Sequence, residues 1–269
     1  MSDLEELVDA TVAAAFAEAG AVQAARAFRE GPRAAYRGSP TDLKVCRHEA
    51  AHCVVNWIVG DAPLVEVVVR DDGSGETTNE ASARAAEAPP GEDHAGRLAA
   101  LRADPTAQRI LAATCAKHVA MILAGVTADH RAGYADWTSS FDDLAQADRL
   151  AEIAVGRANR DRWLVPIRAA TQMAVHDSWP LILELADWLA VERRLSGPAV
   201  TDWIAAQPGV TGLRSYYSAI FADESGRKSD AQIHAFEDSW HWGPTPEAHL
   251  AYLKNSTLHQ GKVPVGAGR

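Results

Sequence analysis

The sequence predicts a mainly α fold with a small β element, an α+β class. Three observations support this prediction. Alanine-rich and apolar segments recur with helical spacing, Gly-Pro pairs separate several of them, and one short β-branched run stands between two of them. The chain has 269 residues, 47% of them hydrophobic and 23% charged, a composition typical of a globular protein. This length allows one large domain or two small ones.

The first predicted element is a helix over residues 3–30. Its sequence is rich in alanine, the best helix former, and Gly31 and Pro32 provide a stop. Because the apolar face of this helix is weak, it has little to hold it against a core. We therefore predict that residues 1–42 form an N-terminal helical arm.

A second helix is predicted from Leu43 to Val59. Thr41 or Asp42 provides its cap, and Gly60 ends it. The run LVEVVV that follows has the length and the β-branched composition of a strand over residues 64–69.

The remaining chain predicts one long loop and five further helices. Residues 71–95 contain Gly, Pro, Ser, Thr, Asn and Glu without periodicity, and they predict a mobile loop that is either a lid or a disordered insert. The helices are predicted over residues 106–124, 140–158, 166–178, 180–195 and 198–206, the first of them apolar on every side and therefore buried. From residue 207 the composition changes and periodicity is poor, so we predict a core domain over 43–206 and a tail over 207–269.

Charge and cysteine content exclude several classes of protein. Lys plus Arg total 26 and Asp plus Glu total 36, so the net charge is −10, which disfavours nucleic acid as a partner. Cys46, Cys53 and Cys115 are too few for a disulfide framework and indicate a reducing compartment. The N-terminus lacks a secretory signal, and no stretch reaches the ~18–20 apolar residues of a membrane span. We therefore expect a cytoplasmic protein without a membrane anchor.

The chemical signal is the HExxH pattern formed by His48, Glu49 and His52 inside the second predicted helix. At about 100° per residue, two histidines four positions apart leave a helix only about 40° apart, so both can bind one zinc ion. Glu49 lies on the flank of that face, where it can act as general base toward a water beside the metal. Cys46 and Cys53 flank the motif and point away from the ligand face, as buried helix cysteines do.

A third protein ligand is expected, because catalytic zinc usually has three and a water. The chain lacks the HxxGxxH extension of the metzincins after His52. Its nearer glutamates fall on the predicted strand or in the predicted loop, which makes them poor candidates. Asp142 and Asp143 open a predicted helix, so either could point into the site while the other caps the helix and meets its dipole.

Four blocks of sequence, in order, resemble the peptidase domain of the FtsH family of zinc metalloproteases. The blocks are CRHEAAHCVVNWIVGDAPLVEVVVR at 46–70, MILAGVTADHRAG at 121–133, SSFDDLAQADRLAEIAV at 139–155, and TQMAVHDSWPLILELADWLAVERRLSGPAVTDWI at 171–204. The resemblance covers about residues 45–206 and implies a helical zinc-peptidase core that acts on peptide or protein substrates. The Asp of the family's Asn-Asp-Leu motif, its third zinc ligand, falls on Asp143.

Several positions depart from the family pattern. Ala51 replaces a Gly of the HEAGH motif, Val126 replaces an Arg, and Asp129 and His130 replace paired Glu residues, which leaves the support of the metal open. The GxxxxGK[ST] motif of an ATPase motor is absent. The resemblance therefore implies a standalone peptidase domain that cleaves flexible or unfolded segments without ATP. The alternative is a catalytically inactive pseudo-peptidase that binds a peptide or a partner.

Two further features have open readings. The strand at 64–69 is either a core strand or, as the resemblance implies, a sheet edge that binds substrate. The stretch at 214–243 resembles a non-catalytic part of DNA amino-methyltransferases, but the chain has Gln-Pro-Gly where the catalytic Asp-Pro-Pro is needed, so no methyl transfer is expected. Its aromatic residues either pack a small satellite core or stack on bases: Tyr216, Tyr217, Trp240 and Trp242.

Overall fold

A computed structural model describes residues 40–87, 94–134 and 140–222, together with Leu4, Leu7, Val8 and Thr11. The helices within these residues are α1 (Pro40–Val59), α2 (Glu80–Glu87), α3 (His94–Ala103), α4 (Pro105–Arg131), α5 (Phe141–Val155), α6 (Arg160–Asp177), α7 (Trp179–Glu192), α8 (Gly197–Ala205) and α9 (Val210–Ala222). The strands are β1 (Leu64–Val69), β2 (Gly75–Asn79) and β3 (Arg194–Ser196). The predicted mainly α fold with a small β element is confirmed.

Helices α1 and α4 pack side by side at the centre of the described core, and α5, α6 and α9 pack around them. Helix α4 starts at Pro105 because the Asp104 side chain caps it, accepting hydrogen bonds from the backbone N–H groups of Thr106 and Ala107. By length and composition α4 could cross a membrane, but 72% of its most apolar 18-residue stretch is buried within the protein. Burial on this scale fits the all-round apolar helix that the sequence predicts here.

The three strands form an antiparallel sheet in the order β2-β1-β3. Val67 of β1 pairs with Thr77 of β2 on one side and with Leu195 of β3 on the other. Strand β1 is therefore the central strand, as one of the two sequence-based readings has it, and it is no free edge for a substrate. The helix predicted to reach Leu195 ends earlier, at Glu192, because the chain turns to join this sheet.

The prediction of a mobile loop over residues 71–95 is wrong, because β2, α2 and the start of α3 occupy most of this segment. The missed signal is Asp72-Gly73, a turn pair that allows β2 to return alongside β1. Gly73 adopts φ 81°, and the Ser74 N–H donates to Asp72. Asn79 then starts α2, since its side-chain oxygen accepts a hydrogen bond from the Ser82 N–H.

Helix α9 packs on the core, although the sequence assigns it to a tail beyond α8. Tyr217 and Phe221 are buried. The Tyr217 hydroxyl donates to Asp177 over 2.6 Å, and Ser218 donates to the carbonyl of Ile58 at the end of α1 over 3.1 Å. Burial and the neighbouring Asp177 raise the pKa of Tyr217 above its usual range. Tyr217 therefore packs in the protein interior, which is one of the two alternatives that the sequence left open, and α9 adds to the core.

Several predicted features fall on parts of the chain that the structure does not describe. The rest of the tail, with Trp240 and Trp242, lies outside the described residues, as does most of the predicted N-terminal arm. Of that arm, Val8 is described and is fully buried.

Candidate metal centre

Helix α1 carries His48, Glu49 and His52 on the side that packs against α4 and β2. One potential ligand atom from each of these side chains lies within 4.8 Å of the others. The two imidazole rings meet edge to face, with centroids 4.6 Å apart and an interplanar angle of 80°. The four-residue spacing on a helix therefore brings both rings to one point, as the sequence predicts.

Hydrogen bonds fix which nitrogen of each histidine faces that point. The His52 Nδ1 lies 2.7 Å from the backbone carbonyl of Met121. A carbonyl can only accept, so Nδ1 carries the proton and Nε2 presents a lone pair. The His48 Nδ1 lies 3.1 Å from Asp129 Oδ2, which leaves its Nε2 for the same use. Metal-binding histidines in proteins are typically oriented by this kind of outer contact.

Asp143, in the first turn of α5, supplies the third converging group. Its Oδ2 lies 3.0 Å from Nε2 of His48 and 3.9 Å from Nε2 of His52. Of the two aspartates that the sequence left open, Asp143 is the one whose carboxylate reaches both histidines. Two glutamates considered on sequence form exposed ion pairs elsewhere, Glu66 with Arg194 and Glu76 with Arg70.

Gly125 of α4 lies directly against the two histidines. A Cβ atom at this position would lie 2.4 Å from Nε2 of His48 and 2.6 Å from Nε2 of His52. Contacts this short do not occur between non-bonded atoms, so no side chain fits here without moving the histidines. Glycine at this position thus lets α4 approach α1 closely enough for both imidazoles to lie where they do.

The converging groups fit a divalent metal. An imidazole nitrogen and a carboxylate oxygen 3.0 Å apart must share a proton or a metal cation, because two lone pairs cannot face each other alone. Although burial alone would lower it, the pKa of His48 is raised well above its ordinary value by the hydrogen bonds and charges of Asp129 and Asp143. Two imidazoles and one carboxylate are a donor set that zinc accepts in catalytic sites.

Asp129, one of the residues that depart from the family pattern around the metal, contacts His48. Its side chain is 5% exposed and lies behind His48, with Lys44 Nζ 3.7 Å from its Oδ2. An aspartate at this position can therefore orient the imidazole of His48 and increase its basicity. The sequence contains the residue, but nothing local in it indicates which histidine the carboxylate reaches.

Glu49 lies beside the two histidines and is 5% exposed. Thr77 of β2 donates its hydroxyl proton to Glu49 Oε2 over 2.7 Å, which leaves Oε1 for another partner. Burial raises the pKa of Glu49, and the charges of His52 and His48 and the hydrogen bond from Thr77 oppose this rise. Burial likewise raises the pKa of the nearby Cys53 thiol to about 12, so Cys53 is neutral at physiological pH.

Neither comparison with known sequences yields a relative: no family model matches this chain, and no curated protein matches it. What the site can do is therefore argued from its own residues.

Proposed function

We propose that this protein is a zinc-dependent metallopeptidase that hydrolyses peptide bonds in flexible or unfolded protein segments. The observation that carries the proposal is the convergence of His48 Nε2, His52 Nε2 and Asp143 Oδ2, with the Glu49 carboxylate beside the two histidines. The resemblance of four sequence blocks to the FtsH peptidase domain supports the same activity. The chain contains no GxxxxGK[ST] motif, so the proposed hydrolysis does not use ATP bound by this chain.

His48, His52 and Asp143 would hold the zinc ion. When bound, zinc supplies Lewis acidity, which lowers the pKa of a water to ~7 and polarises a carbonyl group. Glu49 Oε1 accepts the proton of the attacking water and delivers it to the nitrogen of the leaving amine. Asp129 and the Met121 carbonyl keep the two imidazoles in the tautomer that this arrangement needs.

The open side of strand β2 is where we propose that a substrate peptide binds. In the described sheet β2 has a neighbour on one side only, and the same strand contacts Glu49 through Thr77. An extended peptide that pairs with the open side of β2 would lie close to Glu49, and its main chain would supply most of the contacts. Recognition through the main chain suits substrates that are already unfolded, because a folded segment has no free strand to offer.

The proposal is tested on the purified full chain by measuring bound zinc and the cleavage of an unfolded substrate such as casein. We expect one zinc per chain and turnover that a chelator removes. Glu49→Gln should keep the zinc and lower kcat at least ~100-fold, since general base catalysis contributes ~10²–10⁴-fold. Asp142→Asn is the matched control and should keep both zinc and turnover.

Two outcomes would contradict the proposal in different ways. Stoichiometric zinc without turnover on any unfolded substrate would favour a module that binds a peptide or partner without cutting it. An intact fold that binds no zinc would contradict the proposal that this protein is a metallopeptidase.

A further inference from the structure

We infer that Gly75 and Thr77 of β2 are positioning residues that together hold the Glu49 carboxylate in place for hydrolysis. Thr77 binds one carboxylate oxygen, and Gly75 leaves the space that the other one occupies. The inference rests on the proposed function, because it gives this strand a role in the work of the general base.

The first support is the direction of the Thr77 hydroxyl. Its oxygen lies 2.7 Å from Oε2 of Glu49 and 3.4 Å from the backbone carbonyl of the same residue. A hydroxyl has one proton to donate, and both of these oxygen acceptors belong to Glu49, with the carboxylate much the closer. The proton of Thr77 is thus directed at Glu49.

Cys53 supports the same orientation of the Thr77 hydroxyl, because its thiol lies near the oxygen of that hydroxyl. It follows Glu49 by one helical turn, is fully buried, and its sulfur lies 3.8 Å from Thr77 Oγ1. Because Thr77 uses its own proton toward Glu49, its oxygen accepts from the thiol, a weak donor. The result is a short chain of hydrogen bonds from Cys53 through Thr77 to Glu49, and such chains restrict the rotation of their middle hydroxyl.

Gly75 contributes space. Residues two apart in a strand face the same side, so Gly75 and Thr77 both face α1. A Cβ atom on Gly75 would lie 2.4 Å from Oε1 of Glu49 and 2.6 Å from its Cγ. Gly75 does not have a positive φ, so its backbone alone would tolerate another residue. Glycine is required here because Glu49 passes directly over it.

Together the two contacts restrict both oxygens of the Glu49 carboxylate. Oε2 is held by Thr77, and Oε1 lies over Gly75 on the side that the proposed function uses for proton transfer. A general base works only within hydrogen-bond reach of the proton it takes, and a misplacement of about 1 Å can cost ~100-fold in rate. Loss of either residue should therefore lower kcat more than it changes KM.

The test uses the full chain and compares Thr77→Val, Thr77→Ser and Gly75→Ala. Thr171→Val in α6 is the matched control, because it removes a buried hydroxyl that donates to the Ile167 carbonyl of its own helix. Valine keeps the shape of threonine and removes only the hydroxyl. We expect Thr77→Val and Gly75→Ala to lower kcat about 10–100-fold, the range seen when an outer contact of an active site is lost. KM and zinc content should stay unchanged, Thr77→Ser should recover most of kcat, and Thr171→Val should match the wild type.

An unchanged kcat in Thr77→Val, or an equal loss in Thr77→Val and Thr171→Val, would overturn the inference. A second measurement does not depend on turnover. Urea unfolding of the wild type, Thr77→Val, Glu49→Ala and the double variant forms a double-mutant cycle. We expect non-additive midpoints, and additive ones would show that Thr77 does not hold Glu49. Absence of turnover in the wild type would refute the proposed function and the positioning role in catalysis, while the cycle still decides whether the two side chains interact.

Discussion

Two buried histidines on neighbouring helices each contact an aspartate, yet the two surroundings differ. His48 on α1 contacts Asp129 through Nδ1 and Asp143 through Nε2. His118 on α4 contacts Asp61 through Nδ1, with both side chains less than 5% exposed. By residue type and burial alone, the two arrangements could not be told apart.

The difference lies in what surrounds the pair. At His48, a second imidazole and a second carboxylate reach the same point, and Gly125 packs directly against both imidazoles. Among the described residues, the cluster of potential metal ligands is the one around His48, and His118 is not part of it. The pair of His118 and Asp61 instead ties α4 to the turn that follows α1. A buried histidine and aspartate therefore indicate a metal site only when further ligands converge on them.

The largest difference between the two histidine surroundings is expected when His52 is replaced. His52→Ala removes one of three converging ligands, so we expect zinc affinity to fall by more than the ~100-fold that loss of an outer contact can cost. Turnover should be lost with it. Zinc content after dialysis is the measurement, and His118→Ala is the control that should keep its zinc. Equal zinc loss in both variants would make the distinction between the two histidines wrong.

Replacing Gly125 tests the close approach of α4 to α1 without removing a candidate ligand. In Gly125→Ala the methyl group would lie within 2.6 Å of both Nε2 atoms, so the imidazoles must move. We expect turnover to fall about 100-fold, the cost of a displacement of about 1 Å. Gly212→Ala, in α9 with open space around it, is the matched control and should leave kcat unchanged. Wild-type turnover in Gly125→Ala would show that this close approach has no part in the site.

The two aspartates behind the histidines provide a paired test of intermediate size. Asp129→Asn keeps the shape of the side chain and weakens its hold on His48 Nδ1, so zinc affinity should fall about 10–100-fold. Asp61→Asn makes the same change behind His118 and should leave zinc affinity unchanged. Competition titration against a chelator measures both. If Asp61→Asn were the variant that weakened zinc binding, the assignment of the metal centre would be wrong.

The smallest effect on the metal is expected for His118→Ala. Its removal leaves the buried Asp61 carboxylate without this partner, which should lower the free energy of unfolding by about 1–3 kcal/mol. Urea unfolding measures the loss, and the zinc affinity of the folded protein should match the wild type. No change in stability would mean that this pair does not join α4 to the end of α1.

The parts of the site that could be predicted from sequence are those set by local spacing. His48 and His52 share a face because they are four residues apart on a helix. For the third group, the start of a predicted helix indicated Asp142 or Asp143, and the resemblance to the FtsH family implied Asp143. The turn at Asp72-Gly73 was equally local, and it was missed because the residues after it, GETTN, are short and polar for a strand.

The remaining contacts join residues that are distant in the chain. Asp129 is 81 residues from His48, and Thr77 is 28 residues from Glu49. Such contacts depend on how the helices and strands pack, and one sequence contains no periodic signal for that. The need for glycine at position 125 has the same origin, because it depends on the histidines of the opposite helix.

Helix α9 has a practical consequence for producing this domain in the laboratory. A fragment cut after α8, where the change in composition suggests a boundary, would lack the side chains of Tyr217 and Phe221 and would uncover the end of α1. Because α1 carries His48 and His52, the exposed apolar surface would adjoin the helix that carries these candidate metal ligands. A truncated version intended for crystals or assays should therefore retain the chain through residue 222.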